Sequence, residues 1–166
     1  VIIAQERFDP IFEEYAKTPV EELSLNEEAI QVGKRLFLQY CAQCHGSDGA
    51  GQRGGFPNLT DNDWLYGGSG EKIKETLING RKGAMPGWLA PFGEQGIKEV
   101  VAYTLSLSGR DVDSALATAG KARFMACAAC HGMDGKGNQM LGAPNLTDNI
   151  WLYGGSERAV TETLNY

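Results

Sequence analysis

One sequence pattern occurs twice in this chain and limits what it can fold into. The pattern Cys-x-x-Cys-His stands at Cys41–His45 and again at Cys127–His131. Each copy continues through Gly-x-Asp-Gly to Pro-Asn-Leu-Thr-Asp-Asn and then to Trp-Leu-Tyr-Gly-Gly-Ser, in a register of 87 residues over these later segments. Two copies of one domain are therefore predicted. The second is expected to be incomplete, because the chain stops at Tyr166, the counterpart of Asn79.

Length and charge narrow the classes of protein that fit. The 166 residues suit two units, each of about 80 residues, which is small for an independent domain. Units of that size usually need a disulfide, a metal or a cofactor to complete their core. The net charge is −6 and no basic cluster is present, which argues against nucleic-acid binding and suits brief encounters with a basic partner.

Helical signals without an alternating strand pattern predict an all-α fold. Asp9 before Pro10 is typical of a helix start, and Asn26 is predicted to cap a second helix. Further helices are predicted at 71–78 and 96–107.

The pattern also predicts how the units are arranged. Gly33 and Phe37 are expected to pack across a later helix, and the residues that they meet there are Val101 and Tyr103. The predicted units are an N-terminal helical segment at 1–25, a first repeat domain at 26–109 and a second at 110–166.

The repeated motif carries the chemistry. Cys-x-x-Cys-His is the attachment signature of c-type haem, in which two thiols bond the porphyrin and the histidine binds iron. Zinc binding, a redox dithiol or a structural disulfide are the alternatives. All four cysteines and both histidines of the chain lie in the two motifs, which favours haem. The predicted attachment residues are Cys41, Cys44, His45, Cys127, Cys130 and His131. Two covalently attached haem c groups are expected, each the core of one of two tandem cytochrome c domains, at 26–109 and 110–166.

Met85 is predicted to be the sixth ligand of the first iron. It lies in the Gly/Pro-rich segment 83–88, forty residues after His45. Methionine is a usual partner of histidine in cytochromes c, and it raises the reduction potential. The alternative is a methionine that fills a gap in the core.

The sixth ligand of the second iron is not apparent in this sequence. The repeat register places the counterpart of Met85 at position 172, beyond Tyr166, and we expect the ligand there. Met133 is too close in sequence to His131, and Met125 is expected in the core. Met140 is the remaining alternative.

Other residues have possible supporting roles around the haems. A backbone carbonyl near Pro57 and another near Pro144 are expected to accept the Nδ1–H of the motif histidines. Arg81 either neutralises a haem propionate or is a solvated residue. Four aromatic side chains either line haem edges and bond propionates or simply pack: Trp64, Tyr66, Trp151 and Tyr153.

From about residue 7 onward the chain resembles the periplasmic part of the dihaem subunit of cbb(3)-type cytochrome c oxidases. The two haem motifs alone are general, whereas an ordered series of other segments is more specific. These segments are Arg7–Phe12, Pro19–Glu22, Phe56–Asp61, Asp63–Trp64, Asn79–Arg81, Ala84–Pro86 and Gly142–Thr147.

The resemblance implies a non-catalytic electron-transfer subunit. Such a subunit accepts electrons from a soluble donor such as a small cytochrome c and passes them to the catalytic subunit. It implies a location on the periplasmic side, with a membrane helix that this sequence lacks; the apolar start at 1–4 is either a remnant of a removed segment or without meaning. The alternatives are a free periplasmic dihaem carrier and a dihaem peroxidase-like enzyme.

Overall fold

The structure is a computed structural model that describes residues 2–52 and 54–166, with side chains from residue 10 onward. The described part is all-α, as predicted. It contains helices and two isolated β-bridges but no strand. No helix in this part is long and apolar enough to cross a membrane. The helices are α1 (Ile2–Lys17), α2 (Val20–Leu23), α3 (Glu27–Tyr40), α4 (Ala42–His45), α5 (Gly70–Asn79), α6 (Leu89–Leu107), α7 (Ser114–Phe124), α8 (Ala128–His131) and α9 (Glu157–Asn165).

Local signals located several helix ends correctly. The Asn26 side chain accepts a hydrogen bond from the backbone N–H of Ala29 at 3.0 Å, which confirms the predicted cap of α3. Helix α5 covers the predicted range 71–78 with one further residue at each end, and Gly80 follows it at a φ of 66°. The same Ser-cap pattern begins α5 and α9 in the two repeats.

Two predicted helix starts are wrong. Helix α1 begins at Ile2 and contains Pro10, so the cap predicted at Asp9, whose side chain lies outside the described side chains, does not start it. Proline within a helix removes one backbone donor, a loss that the remaining turns tolerate here. Helix α6 begins at Leu89 and not near 96, because a kink at Gly93, with a φ of 66°, joins a short first turn to the predicted helix.

The main core of the described chain is formed by α6, α7 and α9. Helix α3 contains no buried residue. Each large aliphatic side chain that the core buries stabilises the fold by about 1.5–3 kcal/mol. The buried residues of this cluster are Ile97, Val100, Val101, Leu105, Phe124, Cys127, Val160 and Leu164.

The predicted helix crossing forms with the other repeat. Gly33 has open space around it, whereas its counterpart Gly120 lies directly against the Glu99 carbonyl of α6. The rings of Tyr103 and Phe124 lie 5.1 Å apart, so Phe124 takes the role predicted for Phe37. The expected packing of Gly33 and Phe37 on Val101 and Tyr103 is therefore wrong. A crossing through a glycine and a phenylalanine does form on α6, but the helix that provides them is α7 and not α3.

An ion pair supports the crossing between α6 and α7. The Arg123 Nε donates to a Glu99 carboxylate oxygen at 2.6 Å. This hydrogen bond, with a second from Gln95, lowers the pKa of Glu99. Glu99 thus contributes both its backbone and its side chain to the contact with α7.

Three aspartates come together where the two repeats meet. Burial raises the pKa of Asp63, and the nearby carboxylates of Asp148 and Asp61 raise it further. Asp61 and Asp148 are counterparts in the repeat, since each stands in the segment Pro-Asn-Leu-Thr-Asp-Asn. Burial and the neighbouring carboxylates thus both disfavour the ionised form of Asp63.

Substitution of the two equivalent glycines tests which helix α6 crosses. Gly120→Ala is expected to lower the free energy of unfolding by about 1–3 kcal/mol, because the added methyl overlaps the Glu99 carbonyl. Gly33→Ala should raise it by about 0.5–1 kcal/mol, because alanine is the better helix former and the space is open. Guanidinium titration followed by far-UV circular dichroism measures both. The reverse order would place the crossing on α3.

Substitution of Asp63 tests the carboxylate cluster. An aspartate whose pKa is higher in the folded state than in the unfolded state, where it is about 3.9, destabilises the folded protein once it is ionised. This loss of stability grows as the pH rises from the unfolded pKa to the folded pKa, and it is complete above the folded pKa. Asp63→Asn should therefore be more stable than the parent chain at pH 7, with a difference that vanishes in acid. Thermal unfolding at both pH values measures this, and the exposed Asp111→Asn is the control that should show neither effect.

Candidate functional site

The first motif begins at the C-terminal end of α3 and continues through the single helical turn that follows it. Cys41 ends α3, where its backbone N–H donates to the Phe37 carbonyl at 2.8 Å. Helix α4 follows at once and carries Cys44 and His45. The His45 N–H donates to the Cys41 carbonyl at 3.0 Å. Two thiols and one imidazole are thus held within one compact turn, as a porphyrin edge and its iron require.

The second motif has the same backbone geometry. The His131 N–H donates to the Cys127 carbonyl at 2.9 Å, and α8 carries Cys130 and His131. Cys127 is buried and Cys130 is exposed, and all four cysteines of the chain are free thiols. Burial raises the pKa of the Cys127 thiol, and Cys130 beside it adds to this shift. The disulfide alternative is therefore absent from this structure.

Each motif histidine is oriented by a backbone carbonyl. The Nδ1 of His45 lies 3.0 Å from the Pro57 oxygen, and the Nδ1 of His131 lies 3.0 Å from the Pro144 oxygen. A carbonyl can only accept, so Nδ1 carries the proton and Nε2 keeps its lone pair. The predicted support from these two prolines is confirmed, and each Nε2 is prepared to bind a metal.

Glycines let each histidine turn approach its supporting loop. The Gly51 N–H donates to the His45 carbonyl at 2.8 Å, and the Gly137 N–H donates to the His131 carbonyl at 2.8 Å. A Cβ at Gly51 would collide with the Phe56 carbonyl, and its φ of 76° is itself in the left-handed region. Gly137 is confined in the same way. The loop can therefore deliver the proline carbonyl only because these positions are glycine.

The donor set fits haem c. Each motif provides two thiols that can form thioethers and one imidazole whose Nδ1 is bonded to a backbone carbonyl, all on the same turn. His131 is buried, with 7 % of its surface exposed. Phe56 meets the His45 ring edge-on at a centroid distance of 6.1 Å. Its aromatic face gives the first histidine an apolar neighbour.

Met85 lies in the loop between α5 and α6 and is 42 % exposed. At one end of this loop the Arg81 guanidinium donates to Glu75 at 2.6 Å. At its other end the Trp88 N–H donates to the Leu164 carbonyl of α9 at 2.6 Å. The loop therefore runs from the first repeat to the second, and the assignment of Met85 to the first iron stays a prediction.

The other methionines lie at the surface. Met140 is 92 % exposed at the tip of a turn, and Met133 is 67 % exposed. Met125 is 56 % exposed, so the expectation that it lies in the core is wrong. Helix α7 ends at Phe124, and Met125 follows as its C-cap with the side chain outside the core.

The residues considered for propionate binding have partners within the protein. The indole N–H groups of Trp64 and Trp151 donate to the carbonyls of Asp61 and Asp148, at 3.0 and 3.1 Å. These bonds close the same turn in both repeats. They use the single donor of each indole, so the tryptophans act here as supports of the loop.

Arg81 also has a partner within the protein. Its hydrogen bond, with a second from Lys72, lowers the pKa of Glu75 to about 2, so the pair is ionic at any ordinary pH. The guanidinium lies 5.0 Å from the centroid of the Tyr66 ring. The sequence could not predict this stack, because a cation–π contact has no local sequence signal.

Two family models match different parts of the chain. The model described as cytochrome c oxidase, cbb3-type, subunit III matches residues 28–103. The model described as cytochrome c matches residues 117–165. Each match contains one Cys-x-x-Cys-His motif.

Curated relatives cover most of the chain. The cbb3-type cytochrome c oxidase subunit CcoP of Rubrivivax gelatinosus is 50 % identical over 91 % of this chain and 50 % of its own length. The CcoP subunit of Cereibacter sphaeroides is 45 % identical over 86 % of this chain and 53 % of its own length. The FixP subunit of Sinorhizobium medicae is 42 % identical over 89 % of this chain and 56 % of its own length. The chain spans about half the length of these relatives.

The residue-level pattern, the twin histidine geometry and these matches agree with one another. The two repeats are cytochrome c domains by both sequence and local structure. The chain belongs to the cytochrome c family that includes the CcoP and FixP subunits of cbb3-type cytochrome c oxidases.

Proposed function

We propose that this chain is the electron-transfer part of a cbb3-type oxidase and carries two covalently attached haem c groups. The observation that carries the proposal is the pair of histidines, each with Nδ1 bonded to a proline carbonyl and Nε2 left free. Relatives at 40–50 % identity that are named as oxidase subunits support it. In this role the chain forms and breaks no bond in a substrate, so it is not the catalytic subunit.

The attachment residues have distinct roles in this proposal. Cys41 and Cys44 would hold the first haem through thioether bonds, and His45 and Met85 would be the ligands of its iron. The second haem would be held in the same way. Its residues are Cys127, Cys130 and His131. The first repeat, 26–109, and the second, 110–166, each accommodate one haem.

The chain's own groups adapt each site to electron exchange. A bound haem c supplies reversible one-electron chemistry at iron. The proline carbonyls keep the imidazoles in one tautomer and one orientation, which also raises the basicity of the ligand nitrogen. The buried environment of His131 limits the access of water. Sites held this rigidly change little in geometry when one electron arrives or leaves.

Charge supports transfer from a soluble donor to the catalytic subunit. The net charge of −6 attracts a basic donor such as a small cytochrome c and speeds encounters at low salt. Covalent haem attachment is completed outside the cytoplasm, so the proposal places these domains on the periplasmic side of a bacterial inner membrane.

The experiment that tests the proposal is spectroscopic. The haem content of the full-length protein is expected to be two per chain, and the oxidised protein should show two low-spin haems by optical and EPR spectroscopy. Carbon monoxide added after reduction should cause no shift. One high-spin haem that binds the gas would contradict a pure electron carrier and favour catalysis or sensing.

Removal of Met85 tests the assignment of the first sixth ligand. Met85→Ala is expected to convert one haem from low to high spin, to let it bind carbon monoxide, and to lower its reduction potential, because thioether ligation raises it. Met140→Ala, in the second repeat and 92 % exposed, is the matched control and should leave the first haem unchanged. Two low-spin haems in Met85→Ala would show that another residue binds the iron.

A further inference from the structure

Besides the packing of α6 on α7 and α9, the two repeats touch through two loop contacts that are equivalents of each other. The Tyr66 ring of the first repeat lies directly against Gly142 of the second. The Tyr153 ring of the second lies 3.6 Å from the position that a Cβ would take at Gly55 of the first. Tyr153 lies 87 residues after Tyr66, and Gly142 lies 87 residues after Gly55, so the two contacts are related by the repeat. This loop part of the interface is therefore pseudo-two-fold, because both repeats use the same surface there.

The contact between Tyr66 and Gly142 is the tighter of the two. Any side chain at Gly142 would overlap the phenol ring, and the φ of 68° at this residue already favours glycine. On its own side, the phenol oxygen lies 2.9 Å from the position that a Cβ would take at Gly83. The Arg81 guanidinium covers the ring at 5.0 Å and is itself held by Glu75. The Tyr66 ring is thus held in place by contacts within its own repeat, and it packs against Gly142 of the other repeat.

Polar bonds accompany both contacts. The Gln139 side-chain amide donates to the Trp64 carbonyl at 3.1 Å across the repeats. Near the other contact the Gly54 N–H donates to the Leu152 carbonyl at 3.4 Å, between residues that are not the counterparts of Gln139 and Trp64. Four residues separate the bridge partners in the second turn and three in the first. The longer turn lets Gln139 reach across.

Each contact residue lies next to the support of a histidine. Gly142 is two residues before Pro144, whose carbonyl orients His131. Gly55 is two residues before Pro57, whose carbonyl orients His45. The tyrosine of one repeat therefore contacts the turn whose proline carbonyl orients the histidine of the other repeat.

We infer that the Tyr66–Gly142 contact is the joint that sets the distance between the two haem sites, with Tyr66 as a positioning residue. The inference rests on the proposed function, because it requires a haem at each motif. A single electron that crosses this interface oxidises one iron and reduces the other, and no bond forms or breaks. Since tunnelling between two centres weakens with their separation, the joint also sets the rate of transfer.

Three variants of the haem-loaded chain test the joint. Gly142→Ala should lengthen the iron–iron distance measured by pulsed EPR, and should slow intramolecular electron transfer after laser photoreduction severalfold. Adding Tyr66→Ala to Gly142→Ala should restore the shorter distance, because the overlap is gone. Gly93→Ala is the matched control: its φ of 66° carries the same backbone strain, but it is exposed within the first repeat and no atom lies within 4 Å. It should keep the parent distance and rate.

Further variants keep the inference testable if Gly142→Ala folds poorly. Tyr66→Phe retains the ring and should behave as the parent, whereas Tyr66→Ala should broaden the distribution of iron–iron distances. An unchanged distance in both Gly142→Ala and Tyr66→Ala would overturn the joint. The proposed function is judged separately, from the haem content and spin state of the parent: fewer than two haems there would refute the function.

Discussion

A hydrogen bond from each motif histidine to a proline carbonyl determines much of the rest of this structure. The two bonds join residues 12 and 13 positions apart in the chain, both at 3.0 Å. They select the tautomer that leaves Nε2 free for iron, and they pull the intervening turn against the motif. That turn is also what the other repeat contacts through Gly55 and Gly142. One short-range bond therefore links ligand chemistry to the arrangement of the two repeats.

Features that depend on neighbouring residues could be predicted from the sequence. The all-α fold, the cap at Asn26 and the carbonyl supports at Pro57 and Pro144 are confirmed. Each follows from residues that are close in the chain or from a motif whose geometry is nearly invariant. The role of Met85 stays a prediction, since its loop contacts both repeats and is partly exposed.

Features that depend on distant contacts could not be predicted. Helix α6 could cross either α3 or α7, because both carry glycine and phenylalanine at the same spacing, and only the surroundings of Gly33 and Gly120 decide between them. Likewise, the Tyr66–Gly142 contact joins two loops with no shared pattern. The start of α1 differs from the prediction because Pro10, a typical first-turn residue, lies inside a helix that already begins at Ile2.

The loop that carries Met85 is held at both ends, by Glu75 in the first repeat and by Leu164 in the second. On the proposed ligation, iron would close the chain between His45 and Met85 into a ring of forty residues. Unlike a disulfide, such a coordinate bond is lost on unfolding, so forming it would couple the ligation of iron to the folding of this loop. The bond between Met85 and iron would then hold the loop in place as well as tune the haem. The packing of α6 on its neighbours would help to keep Met85 within reach of the iron.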